Sequence, residues 1–190
     1  MNKRLAGFLI LIVLFSAGKA VAWGKGQAGT LEITGVPIET TAGRYDRQSG
    51  VFVADVSEIT GALISVEFEE VKIVGQQMEW RTEDNYLIFS VAAKLTKDDF
   101  ELTADVVEYF GDEKKLKAAG NVVVVTDDST VYADHLDYDE NTDEALFTGT
   151  VRVVFSDGVL EGERFLMLME KSELQFFGSF QGEFNEESNK

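Results

Sequence analysis

The sequence predicts an all-β protein in which two antiparallel sheets are built from bent strands. Three observations support this prediction. They are an internal repeat of about 29 residues, apolar side chains that alternate with polar ones, and almost no helical pattern outside a weak stretch at 40–47. The chain has 190 residues, 45% of them hydrophobic, which suits one domain with an apolar core.

The repeat is clearest in the C-terminal half of the chain. Three segments share an apolar start, a small residue followed by an acidic one, and a large apolar or aromatic end: 102–109, 131–138 and 160–167. Glycines then recur at the same interval, at Gly120, Gly149 and Gly178. A fourth copy begins at Ile73, and a fainter fifth begins at Phe52. Such a repeat predicts one structural unit that is used several times.

Each repeat contains two strands, and one of them changes face once. Its apolar or small residues stand at 102, 104, 107 and 109, and at equivalent places in the other copies. One extra residue, as in a β-bulge, reverses which face points inward, so we expect the sheet to turn a corner in every repeat. Bent hairpins of this kind could close into a jelly roll or stack as a β-solenoid, and the bulges favour the jelly roll.

The N-terminal segment, residues 1–22, has the features of a secretory signal peptide. Lys3 and Arg4 precede an apolar stretch from Leu5 to Ala17, and Ala20-Val21-Ala22 is a small-x-small cleavage site. The stretch is shorter than the roughly 20 apolar residues that span a bilayer, so we predict cleavage after Ala22, with an uncleaved inner-membrane anchor as the alternative. The remainder is divided into a lead-in at 23–44, a domain at 45–184 and a polar tail at 185–190.

The charge balance excludes a role in nucleic-acid binding. The chain has 17 basic and 34 acidic side chains, a net charge of −17, whereas a phosphate-binding surface needs a basic patch. Loss of residues 1–22 would leave 14 basic groups and a net charge of −20. The chain has no cysteine, and the single histidine, His135, cannot build a His-rich metal site. We predict neither a metal nor a cofactor.

Two features carry carboxylates in patterns that chemistry could use. Asp105, Asp134 and Glu163 recur at one repeat position, and glycoside hydrolases use paired carboxylates. A residue repeated in register is more often structural, here at the bend and bonded to backbone N–H groups. The acidic stretch 137–144 resembles a calcium loop but lacks its glycine and its final glutamate, which favours a solvated turn. We therefore predict no catalytic residue and no enzyme.

The repeat motifs resemble the LptA/OstA-like family of lipopolysaccharide-transport proteins. The resemblance is carried by Ala-Asp-x-x-x-Tyr, by the Ala-Ala-Gly-Asn that contains Gly120 and by the Phe-Thr-Gly-Thr that contains Gly149. It implies an open β-jelly roll in the periplasm, whose apolar groove carries lipopolysaccharide acyl chains from the inner to the outer membrane. It also implies LptC-like and LptD-like partners and head-to-tail stacking of copies through edge strands, including the last strand at 174–184.

The groove that the resemblance implies would use the inward apolar columns of the repeats. The candidate lipid-binding residues are Leu102, Val122, Val124, Val131, Phe147, Val151, Val153, Phe155, Leu160, Phe176, Phe180 and Phe184. The repeated glycines either leave room for an acyl chain or relieve crowding at the bend. We expect the acidic side chains to face outward. Two alternatives remain: an LptC-like member anchored in the inner membrane, and a β-solenoid surface or structural protein that binds no lipid.

Overall fold

The computed structural model describes residues 31–38, 40, 42–68, 71–97, 100–168, 171 and 173–185. The predicted signal peptide at 1–22 and the end of the polar tail lie outside these residues. Within them, no helix is long and apolar enough to cross a bilayer.

The described residues form thirteen strands that belong to one antiparallel sheet. In chain order the strands are β1 (Glu32–Val36), β2 (Gly43–Asp46), β3 (Val51–Asp55), β4 (Leu63–Phe68), β5 (Val71–Gly75), β6 (Gln77–Arg81), β7 (Tyr86–Lys97), β8 (Phe100–Phe110), β9 (Lys115–Val125), β10 (Ser129–Asp139), β11 (Glu144–Phe155), β12 (Gly158–Leu168) and β13 (Glu173–Phe184). The prediction of an all-β fold is confirmed.

The sheet folds into two layers because its long strands bend. Strands β7 to β13 follow one another in the sheet, and each places one half in each layer. Beyond β7 the bent strand is split in two, since β5 pairs with the C-terminal half of β7 and β6 with its N-terminal half. The first layer therefore starts with β1, β4 and β5, and the second with β2, β3 and β6. The inner faces of both layers share one apolar core.

The predicted corner is present in the long strands of the repeats. The register shifts between Thr103 and Val106 in β8 and between Tyr132 and His135 in β10. Buried side chains then stand at 102, 104, 107 and 109 in β8 and at 131, 133, 136 and 138 in β10, which confirms the predicted spacing. The corners in successive strands lie side by side and form one ridge, which joins the two layers.

A carboxylate packs over a glycine at the corner. Gly120 and Gly149 have φ of 76° and 97°, and a Cβ on either would overlap the carboxylate of Asp105 or Asp134 on the preceding strand. The Thr150 backbone N–H donates to Asp134 Oδ2 at 2.9 Å. Asp134 thus makes the backbone bond that the structural interpretation predicts, whereas Asp105 Oδ2 accepts from the Asn121 side-chain amide at 2.9 Å. Because an exposed carboxylate on the ridge packs against each of these two glycines, the structure favours the interpretation that they relieve crowding at the bend.

The turns at the far end of the second layer also repeat, although their residues were not predicted from the sequence. Asn85, Lys114 and Asp143 stand at equivalent positions of successive repeats and have φ of 48°, 55° and 54°. The Gly111 N–H donates to the Asn85 carbonyl at 2.8 Å, and the Glu140 N–H donates to the Lys114 carbonyl at 2.9 Å. Each of these turns is thereby fixed to the one before it.

The sheet begins earlier in the chain than the domain boundary that we placed at residue 45. β1 lies wholly within the lead-in at 23–44, and it pairs with β4 from Glu32 opposite Glu67 to Val36 opposite Leu63. At the other end β13 stops at Phe184, which coincides with the predicted boundary.

The packing at the corner predicts a large cost for a side chain at Gly149. We expect Gly149→Ala to lower the free energy of unfolding by about 3 kcal/mol, since it combines backbone strain with overlap against Asp134. Gly61→Ala is the matched control, because Gly61 has φ of 76° but nothing within 4 Å of the added Cβ. It should cost about 1 kcal/mol in urea unfolding. Equal losses for the two variants would show that the carboxylate contact is unimportant.

Candidate functional site

The apolar interior between the layers is the candidate site, and its middle is closed. Seven of the predicted groove residues are at most 2% exposed: Leu102, Val122, Val124, Val131, Phe147, Val151 and Val153. They pack within the single core cluster. These side chains are walls of a filled interior, so a ligand reaches them only if the layers separate.

The other five predicted residues lie at the C-terminal end of the interior, where it opens. This C-terminal mouth consists of Phe155, Leu160, Phe176, Phe180 and Phe184. Phe180 and Phe184 are 59% and 53% exposed, although both stand at inward positions, because no strand follows β13 in the described residues. Phe176 and Phe180 stack with ring centroids 5.0 Å apart, and Phe155 and Phe184 stack at 6.3 Å. Exposed aromatic side chains of this kind mark a binding surface.

A second opening lies at the N-terminal end, between β1 and β4 of the first layer and β2 and β3 of the second. This N-terminal mouth is a cavity of about 360 Å³ lined by Ile33, Gly35, Thr40, Ala42, Gly43, Phe52, Ala54, Val56 and Ile64. This mouth was not predicted from the sequence, because the repeat fades where the bent strands are split. The alternation of Phe52, Ala54 and Val56 was the available signal.

Charged side chains surround the site on the outside only. Among the described residues the buried polar side chains are Ser65 and Asn85, and neither is acidic. The inward columns of the described strands hold no carboxylate, which supports the expectation that the acidic groups face solvent. Exposed ion pairs cross neighbouring strands instead, including Lys94 with Glu101 at 2.7 Å.

Two buried tyrosines and two carboxylates form a polar border to the second layer. The Tyr138 hydroxyl donates to Asp143 Oδ1 at 2.8 Å. Burial raises the pKa of Tyr109 and of Tyr138, and the neighbouring carboxylates add to the effect. Burial also raises the pKa of the Glu140 carboxyl, although a hydrogen bond from Tyr109 opposes it. Both phenols therefore stay protonated and act as donors at neutral pH.

The described residues contain no group of three or more His, Cys, Asp or Glu side chains that could hold a metal ion. Asp105 and Asp134 stand on the ridge, where they pack on glycine rather than facing a cavity. His135 is exposed on β10. The arrangement provides apolar surface for binding, with polar groups that stabilise the fold.

Comparison with known proteins places these features in a family. A family model described as LptA/(LptD N-terminal domain) LPS transport protein matches residues 72–173, which is more than half of the chain. No curated protein matches the chain significantly. The fold is similar to the crystal structure of LptH, the LptA homologous periplasmic component of the lipopolysaccharide transport device from Pseudomonas aeruginosa, with a TM-score of 0.51. That likeness has 11% sequence identity and covers 55% of this chain and 80% of the other.

The border of the second layer predicts a pH-dependent effect of Glu140→Gln. The folded-state pKa of Glu140 is raised, so the folded protein favours the protonated carboxyl. Wild type therefore loses part of its free energy of unfolding as the pH rises through that pKa. The amide cannot ionise, so the variant should be more stable than wild type at pH 8, by about 1 kcal/mol or less because the site is partly solvated. The gain should vanish at about pH 4, where Glu140 is largely protonated in both the folded and the unfolded state.

Urea unfolding from about pH 4 to pH 8 measures this difference. Glu113→Gln, at an exposed carboxylate in the neighbouring turn, is the control and should change stability little. A gain from Glu140→Gln that is the same at both ends of the pH range would contradict the assignment.

Proposed function

The chain belongs to the LptA/LptD N-terminal domain family of lipopolysaccharide transport proteins, and we propose that it is a periplasmic bridge segment that binds lipopolysaccharide acyl chains. The family transports lipopolysaccharide and is not a family of enzymes, so the protein is a component of that transport system. The observation that carries the proposal is an apolar interior with an opening at each end, formed by Phe180 and Phe184 at one and by Phe52 and Ile64 at the other.

Acyl chains enter at the mouths in this proposal. An acyl chain gains about 0.8 kcal/mol for each methylene removed from water, so the gain grows with the depth of insertion and with the number of chains inserted. The C-terminal mouth already presents aromatic rings that a chain can cover. Deeper insertion moves the layers apart at the seven buried wall residues, and the ridge, with Asp134 packed on Gly149, stays fixed as a hinge.

The edges of the sheet connect this protein to its neighbours in the same proposal. β13 forms one edge, and β1 with β2 forms the other. An edge strand exposes unpaired backbone groups that pair readily with a strand of another chain. Related jelly-roll domains, LptC-like on one side and LptD-like on the other, would extend the sheet and join their apolar interiors. Lipopolysaccharide could then pass along a continuous apolar surface between the two membranes.

The groove assignment predicts that Phe180→Gln weakens lipopolysaccharide binding about tenfold, because it removes an aromatic surface from the C-terminal mouth. Phe177→Gln is the matched control. Phe177 is 42% exposed on the same strand but on the outer face, where the Arg164 guanidinium lies 5.3 Å from its ring. It should change affinity less than about twofold.

Titration of each purified variant with fluorescently labelled lipopolysaccharide gives the dissociation constants, and circular dichroism checks that both variants fold. The groove assignment fails if the two substitutions weaken binding equally, or if neither does.

The export assignment predicts a processed N-terminus. When the full sequence is expressed in a Gram-negative host, the periplasmic fraction should contain protein that begins at Trp23. Mass spectrometry of the intact purified protein measures this directly. Ala22→Arg should block processing, whereas Ala28→Arg, placed after the site, should not. Recovery of unprocessed wild-type protein from the membrane fraction would favour the anchored, LptC-like alternative.

A further inference from the structure

We infer that both edges of this sheet accept strands of other chains that carry basic side chains, and that copies of this chain do not stack on one another. The inference rests on the proposed function, in which the edges join neighbouring domains. It replaces the self-stacking that the family resemblance implied with a partner of defined chemistry, and it follows from the charges that stand at the two edges.

Within the sheet, several acidic residues stand directly opposite a basic residue on the neighbouring strand. Opposite charges in directly opposed positions stabilise a strand pair, and like charges destabilise it. Directly opposed pairs of opposite sign include Glu67 with Lys72 (2.5 Å), Lys117 with Asp137 (3.4 Å) and Arg152 with Glu161 (3.1 Å).

Like-charged pairs in the sheet are compensated by a lysine on the next strand. Asp139 faces Glu144 on one side, but on its other side it faces Lys115, with 3.8 Å between Oδ2 and Nζ. Glu32 faces Glu67, which is itself paired with Lys72. An acidic pair without such a lysine is therefore the unfavourable kind of junction.

A head-to-tail junction between two copies is allowed by strand direction. All strand pairings are antiparallel. Nine successive pairings connect β13 to β1 through the first layer, and nine connect β13 to β2 through the second. An odd number of reversals makes β13 antiparallel to both β1 and β2. One bent edge strand of a copy would thus meet the two short edge strands of the next.

The corner fixes the register of such a junction. β13 bends at Gly178, and the chain passes from β1 to β2 at residues 37–42. The sheet can continue only if these two bends meet on the ridge, since both layers must pair at once. The rows of directly opposed residues that cross the sheet then continue from one copy into the next.

Two of these rows end in acidic residues on both sides. The row of Glu183 runs through Val159, Val154, Thr130, Val125, Glu101, Thr96, Lys72 and Glu67 to Glu32. The row of Glu173 runs through Leu168, Glu144, Asp139, Lys115, Phe110, Tyr86, Arg81 and Val51 to Asp46. A junction between two copies would therefore place Glu183 opposite Glu32 and Glu173 opposite Asp46.

These two acidic pairs would lack the compensation that the interior of the sheet provides. Within their own copies the four carboxylates directly face Val159, Glu67, Leu168 and Val51, none of which is basic. All four are exposed, and they stand at the edges of a chain with a net charge of −17. Repulsion thus opposes self-stacking at short and at long range.

No carboxylate at such a junction would directly face a basic side chain. Among the remaining outward positions, Gln181 would face Thr34, and Gln175 would face Arg44, the basic residue of this edge strand. The partner that fits β13 is an antiparallel strand with Lys or Arg opposite Glu173 and Glu183, and with apolar side chains that cover the C-terminal mouth.

Sedimentation velocity of the exported protein at low ionic strength tests the inference. Wild type should remain monomeric, whereas E32K/D46K should self-associate end to end at least about tenfold more tightly. D127K/D128K changes the net charge equally but in an exposed turn, so it should stay monomeric. The decisive variant is E32K/D46K/E173K/E183K, which carries the least negative charge yet should be monomeric again, because basic residues then face basic residues.

Each other outcome overturns the inference. Wild type that forms end-to-end oligomers shows that copies do stack, and E32K/D46K that stays monomeric shows that the edges do not meet in this register. Assembly of D127K/D128K or of the fourfold variant would indicate that net charge alone controls association. Lipopolysaccharide binding by the same wild-type sample separates the two proposals, because a monomer that binds no lipid contradicts the proposed function and leaves the edge inference intact.

Discussion

A corner in the middle of the long strands is the constraint on which the rest of the structure depends. The corner converts one continuous sheet into two facing layers, and the facing layers create the apolar interior. It is held by a local contact, in which a carboxylate such as Asp134 packs over a glycine in a left-handed conformation. The contact recurs with the period of the repeat, so the corners align into a ridge. The two mouths exist only because that ridge continues to both ends of the sheet.

Much of this architecture could be predicted from sequence where the repeat is regular. The burial of β8 and β10 follows the predicted spacing residue by residue, because the two-residue period of a strand determines which side chains face inward. The N-terminal part escaped prediction for a physical reason. There several residues separate β1 from β2 and β3 from β4, so β1 and β2 share no continuous pattern, and the sequence of β1 resembles part of a lead-in. The turn residues Asn85 and Lys114 also escaped, because neither is a glycine.

The candidate binding site could likewise be predicted only in part. The two-residue period of a strand places the groove candidates on inward faces, but this period cannot distinguish a filled core from an open mouth. Val122 and Phe180 stand at equivalent positions of their repeats, yet Val122 is 1% exposed and Phe180 is 59% exposed. The difference depends on whether another strand follows, which is a property of the whole sheet. The acidic side chains behind the large negative charge lie on the outer surface. There Lys72 and Arg152 form ion pairs with glutamates on neighbouring strands.

The regular period also makes the protein a molecular ruler. Each repeat adds two strands, and neighbouring strands lie about 4.8 Å apart, so one more repeat lengthens the interior by about 10 Å. An insertion or deletion of one whole repeat between Gly120 and Gly149 would preserve the alternation of strand direction, the ridge and both terminal edges. The distance that such a protein spans can therefore change in fixed increments while its connections to neighbouring proteins stay the same.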